Sequence, residues 1–205
     1  MCGILGIISE NQSNLNKEVF SRALEKSKHR GPDGSLVEKI NENALFGFNW
    51  LSIQDLKIEA MQPFHYRENW LVFNGEIYNF VELREDLKKE GYEFKTTGDT
   101  EVLIAGLTHK GIDFLQDING IYGFCFYDSK NEEYIVARDR VGVKPLFYYH
   151  DTEKFIFSSE VASILAYVPA QLDYSMLHTH VFLDRFVGSQ KSKSFFKNIQ
   201  SLEPG

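Results

Sequence analysis

Met1-Cys2-Gly3-Ile4-Leu5-Gly6-Ile7-Ile8 is the stretch whose reading decides the fold, because it sets a thiol one cleavage from the amino terminus and runs it into an apolar segment. Four of the five residues from Ile4 to Ile8 are aliphatic, a pattern that predicts a buried strand where most chain ends are mobile. If Met1 is removed, Cys2 carries both a sulfur nucleophile and a free α-amine, whose ordinary pKa of about 7.7 to 8.0 lets it act as a base near neutral pH. One residue then provides nucleophile and base. Read alone, a cysteine at position two is equally an incidental residue, so its surroundings must decide.

Composition narrows those surroundings. The chain has 205 residues, 43% of them hydrophobic and 14% aromatic, with a net charge of -7, as expected of one globular domain or slightly more. No run of 18 apolar residues is present, so a membrane span is not expected. Two cysteines, Cys2 and Cys125, make no disulfide framework, and the early charges Glu10, Lys17 and Glu18 do not read as a signal peptide. The expectation is a reducing cytoplasm. With 29 acidic against 22 basic residues and no basic cluster, nucleic acid is not an expected partner. His29, His65, His109, His150, His178 and His180 show neither HxxxH nor HExxH spacing, so no metal is expected.

Along the chain, apolar positions 15, 19, 20, 23 and 24 predict a helix over 16–29. Arg30-Gly31-Pro32-Asp33-Gly34 is a turn cluster, read either as plain turn chemistry or as a brace for a nearby pocket. Segments 36–40 and 44–50 read as strands joined at Asn41-Glu42-Asn43. A strand at 70–73 runs into Asn74-Gly75, most simply a hairpin turn, yet the glycine N–H and the asparagine amide also suit an oxyanion hole. A helix over 81–90 ends at Gly91, and a second follows Thr96-Thr97-Gly98-Asp99-Thr100. Asp99 is there either a helix-start acid or an anchor for an ammonium group. Segments 120–127 and 133–138 form a hairpin with Cys125 in the core, and 138–146 reads as a charged connector with solvated side chains. Two further strands (147–149, 155–157), a helix from Ser159-Glu160 to Ala166, a helical pattern over 174–183 and a loose polar stretch over 188–194 complete the reading.

Taken together, Cys2-Gly3-Ile4, Arg30-Gly31-Pro32-Asp33, Leu51-Ser52-Ile53, Asn74-Gly75-Glu76-Ile77-Tyr78-Asn79, Gly98-Asp99-Thr100-Glu101, Arg138-Asp139, Gly142-Val143-Lys144-Pro145-Leu146 and Ser159-Glu160 resemble the glutaminase domain of the glutamine-hydrolysing asparagine synthetase family, a class II, N-terminal-nucleophile amidotransferase. The resemblance covers residues 1–205, and 199–205 resembles the hand-over to that family's synthetase domain, which is absent here. It implies an α+β fold, a four-layer αββα sandwich of N-terminal-nucleophile hydrolase type. It also implies hydrolysis of glutamine to glutamate and ammonia through a Cys2 thioester, with ammonia passed to a synthetase domain or partner. Carried over by position, Asn74 and Gly75 resemble the oxyanion hole. Glu76 and Asp99 resemble its ligands for the substrate α-ammonium, Ile53 and Gln54 its backbone contacts, and Gly98 a further substrate-binding position. No cofactor is expected in this chain; ATP and Mg belong to the synthetase domain.

One position departs from the pattern. Trp50 stands where the family has the arginine that clamps the glutamine α-carboxylate, and an indole offers one neutral N–H in place of a charged fork. The second reading is therefore a catalytically impaired or non-catalytic domain with a binding or regulatory role. Intact Cys2, Asn74, Gly75, Glu76 and Asp99 favour the enzyme.

Overall fold

The apolar run after Cys2 forms strand β1 (Gly3–Ser9) in the computed structural model, which describes residues 2–52, 60–176 and 194–205. β1 lies in the interior of a sheet, antiparallel to β3 (Ala44–Trp50) on one side and β9 (Lys154–Ser158) on the other. With β2 (Gly34–Asn41), β8 (Phe147–His150) and β10 (Ile199–Ser201), the order is β10-β8-β9-β1-β3-β2. A second antiparallel sheet has the order β4 (Phe64–Tyr66), β5 (Asn69–Ile77), β6 (Gly120–Asp128) and β7 (Glu133–Arg138).

Side-chain alternation sorts the apolar residues into three layers. On β1, Ile4 faces the second sheet, with Phe46, Phe48 and Val72. Leu5 and Ile7 face the other way, onto helices α1 (Lys17–Glu25) and α4 (Val161–Ile164). On β5, Leu71 and Phe73 meet helices α2 (Phe80–Lys89) and α3 (Asp99–Lys110). The result is helices, sheet, sheet, helices: the α+β four-layer sandwich that the resemblance implies. Each fully buried phenylalanine in these layers stabilises the fold by roughly 1.5–3 kcal/mol.

Local structure departs from the sequence reading where side chains take over backbone partners. The helix expected over 16–29 ends at Glu25, and the chain turns through a 3-10 segment at Lys28–Arg30. Asn16 caps its start through the N–H groups of Glu18 and Val19. At its end the Asn49 side chain donates to the Leu24 carbonyl at 2.9 Å, occupying a group that a continued helix would use. Val19, expected on the packed face, is 40% exposed. The Asn74-Gly75 pair is no hairpin turn: β5 continues through it, and pairing with β6 holds to Ile77 opposite Gly120. Glycine is required there because a Cβ at Gly75 would lie 2.3 Å from the Ile121 carbonyl oxygen. The helix after Ser159 spans only Val161–Ile164, and β4 and β10 had no counterpart in the sequence reading. Of the pattern over 174–183 only residues 174–176 are described, and they are helical; the rest, with 188–193, lies outside the described residues. Among the described residues no helix is long and apolar enough to cross a membrane. Nor is any group of three His, Cys, Asp or Glu placed to hold a metal ion.

Candidate active site

Period-two alternation carries the site to one end of the layer between the sheets. Cys2 continues the inward face of Ile4, Trp50 that of Phe48, and Asn74 and Glu76 that of Val72. Because Gly3 pairs with Asn49, Cys2 lies beside Trp50. Cys2, Trp50, Asn74, Gly75, Glu76, Gly98 and Asp99 all line a single cavity. Ile53 and Gln54 lie outside the described residues.

The Cys2 thiol is half-buried and held by the chain that follows β3: the Leu51 N–H points at Sγ at 3.5 Å, and Sγ donates to the Leu51 carbonyl at 3.7 Å. Burial pushes the thiol above its ordinary pKa, opposed by the Leu51 N–H and by the charges of Lys144 and Arg30. Its backbone is clamped as well. Arg30 Nε donates to the Cys2 carbonyl at 3.1 Å while Nη1 pairs with Glu160 at 2.8 Å. Ser159 binds both polar groups of Ile4, its Oγ accepting from the Ile4 N–H and its N–H donating to the Ile4 carbonyl. The glycine-proline cluster is a brace as well as a turn. Asp33 accepts from the Ser52 N–H at 2.8 Å and donates its own N–H to the Trp50 carbonyl. Gly31 must lack a side chain because a Cβ would fall 2.2 Å from the Asn49 carbonyl oxygen.

Opposite the thiol, Asn74 is 2% exposed and its amide nitrogen has no hydrogen-bond partner among the described residues. A buried donor left unpaired costs about 1–3 kcal/mol, so its retention at a cavity wall suits a group that binds an incoming acceptor. At the far side, Asp99 opens α3 and accepts the Ile77 N–H at 2.9 Å. Burial, with the Glu76 charge adding to it and the Ile77 N–H opposing, raises its pKa to about 6.

Several positioning residues escaped the sequence reading. Arg84 reaches from α2 to the carbonyls of Thr96 and Gly98 at 2.6 and 2.7 Å. Buried Glu101 collects the N–H groups of Lys95 and Thr96 and the Thr96 hydroxyl. Together they hold the loop in front of Asp99. Gln62, also on the cavity wall, accepts the Phe73 N–H at 2.6 Å. The connector over 138–146 is the main correction: Asp139 is fully buried and Lys144 is 9% exposed, so of its charged residues only Arg140 is exposed. Asp139 accepts the N–H groups of Tyr122, Val141, Val143 and Lys144. Burial opposes, yet these donors outweigh it and hold the carboxyl below its ordinary pKa. The legible signal was Gly142, whose φ of +70° folds the loop back over Asp139.

A family model described as a glutamine amidotransferase domain matches residues 1–205. "Asparagine synthetase [glutamine-hydrolyzing] 2" of Bacillus subtilis is 34% identical over 214 residues, all of this chain and 28% of the relative. "Putative asparagine synthetase [glutamine-hydrolyzing] 2" of Methanocaldococcus jannaschii is 37% identical over 185 residues, 81% of this chain and 35% of the relative. The chain thus spans about a third of the length of the curated relatives it matches. Among solved structures, the glutamine phosphoribosylpyrophosphate amidotransferase of Bacillus subtilis aligns with a TM-score of 0.64 at 22% identity, over 80% of this chain and 43% of that one, and supports the fold. The chain belongs to the glutamine amidotransferase domain family, with glutamine-hydrolysing asparagine synthetases as its relatives.

Proposed function

We propose that this domain, in the cytoplasm, hydrolyses the side-chain amide of glutamine through Cys2 and passes the ammonia to an amide-forming synthetase domain or partner, where ATP and Mg would be used. The observation that carries the reading is the unpartnered amide of Asn74 on the wall of the cavity that holds the Cys2 thiol. With Met1 removed, the Cys2 α-amine takes the thiol proton and sulfur attacks the amide carbon. The oxyanion is received by Asn74 Nδ2 and the Gly75 N–H. The α-ammonium returns the proton to the leaving nitrogen, ammonia departs, and a γ-glutamyl thioester remains. Water, deprotonated by the same amine, releases glutamate. Glu76 and Asp99 hold the substrate ammonium, two carboxylates for one cation. The test is ammonia release from glutamine by protein whose terminus has been checked by mass. If processed protein releases none, the binding or regulatory reading suggested by Trp50 takes its place.

Asp99 gives a result of opposite sign in two measurements. Its folded pKa of about 6 lies above the ordinary 3.8, so between those values the native state binds more protons than the unfolded chain. Stability therefore falls as pH rises from about 4 to about 6, and at pH 7 the buried charge costs about 3 kcal/mol. Asp99→Asn should raise the Tm of ligand-free protein while raising the KM for glutamine about tenfold or more. In the unsubstituted protein kcat/KM should fall as pH drops below about 6. A lower Tm with an unchanged KM would make Asp99 a helix-start acid only.

Trp50→Arg tests the departure from the family pattern. Arg30, a cation on the neighbouring turn, is engaged with Cys2 and Glu160. If no other cation holds the α-carboxylate, adding a guanidinium should lower the KM for glutamine by about tenfold or more, and kcat should change little because the carboxylate is remote from the reacting amide. Steady-state kinetics in which KM is unmoved would place the carboxylate elsewhere.

A further inference from the structure

Lys144 is the only cationic side chain among the described residues that line the Cys2 cavity. It is nine-tenths buried, and its ammonium has no hydrogen-bond or carboxylate partner among the described residues. Its backbone, by contrast, is held from both sides. The Lys144 N–H donates to Asp139 at 3.0 Å, and its carbonyl accepts from Arg138 Nε at 2.7 Å. Arg138 is itself fastened to the carbonyls of Gly142 and Leu202. A fixed backbone thus directs the side chain to the cavity, where its ammonium is open to an anion that arrives.

On the proposed reaction, three negative charges pass through this cavity. The oxyanion has Asn74 and Gly75 as donors, and the thiolate charge disappears once sulfur attacks carbon. The substrate α-carboxylate is permanent and has no assigned cation: Trp50 offers one neutral N–H, and Arg30 is engaged elsewhere. The far end of the cavity, at Glu76 and Asp99, is acidic and would repel it. We propose that Lys144 receives the α-carboxylate of glutamine, replacing the arginine that the family places at the position of Trp50. A flexible four-carbon stem reaches such a group from a different element than a side chain on β3 would. The site thereby selects free glutamine over glutamine whose α-carboxyl is amidated or in a peptide bond. This inference rests on the glutaminase reading for its substrate.

The test separates the two by measuring binding apart from turnover. Calorimetric titration of Cys2→Ala protein with glutamine and with L-glutaminamide reads the carboxylate contact alone. Lys144→Met should weaken glutamine about tenfold or more and glutaminamide less than about twofold. Lys144→Arg should keep glutamine within about threefold, and adding Trp50→Arg to Lys144→Met should recover at least about tenfold. If Lys144→Met does not fold, Lys144→Gln carries the same comparison. Equal weakening of both ligands, no weakening of either, or the same loss in Lys144→Arg would overturn the assignment. Absence of glutamine binding would overturn it together with the reading it rests on. Discriminating binding without ammonia release from the Cys2 protein would overturn hydrolysis and leave the lysine anchor standing.

Discussion

Cys2→Ala should leave a folded protein whose ammonia release from glutamine is at background, a loss of about a thousandfold or more in kcat. The size follows from removing nucleophile and intermediate together, since no thioester forms without the sulfur. No other thiol can stand in, because Cys125 is fully buried in the middle of β6. The fold should be nearly indifferent: among the described residues the thiol's hydrogen bonds are the two long ones to Leu51, and β1 is anchored by its pairing with β3 and β9. A diazo-ketone analogue of glutamine should add its mass to the amino-terminal peptide of processed protein. Label on Cys125, or activity surviving in Cys2→Ala, would end the assignment.

Asn74→Leu should lower kcat by about a hundred- to a thousandfold while changing KM much less, as expected for a donor whose bond strengthens as the oxyanion forms. The same substitution should not destabilise the free protein. It exchanges a buried amide whose nitrogen has no partner among the described residues for an apolar side chain of similar size, which removes a penalty of about 1–3 kcal/mol. Loss of rate with unchanged or higher Tm is the signature of a group held ready for the transition state. If Tm falls by several degrees and kcat per folded molecule is unchanged, the amide serves the fold and not the reaction.

Individual strands were legible in the chain wherever local periodicity coincided with burial, while their four-layer arrangement was implied by the family resemblance. The run from Ile4 to Ile8, the strands flanking Asn41-Glu42-Asn43 and the hairpin around Asp128 each formed near their expected bounds. Most of the cavity was legible too, since Cys2, Trp50, Asn74, Gly75, Glu76, Gly98 and Asp99 line one wall system. That reading depended on the order of the motifs more than on any one of them. Asn74-Gly75 alone predicts a turn, and only its pairing with β6 keeps the pair extended.

The chain by itself determined which residue types meet at the inter-sheet layer, because alternation along β1, β3 and β5 sends every second side chain to the same face. Which charges are solvated and which are confined was decided by the tertiary structure alone. Arg30 is drawn to the Cys2 carbonyl and Glu160, Glu101 closes on the 95–96 backbone, and Asp139 gathers four N–H groups that turn Lys144 into the cavity. A charged residue in a connecting segment has no periodic signal. Its desolvation and its partners come from elements far apart in sequence, so they exist only once the layers have packed.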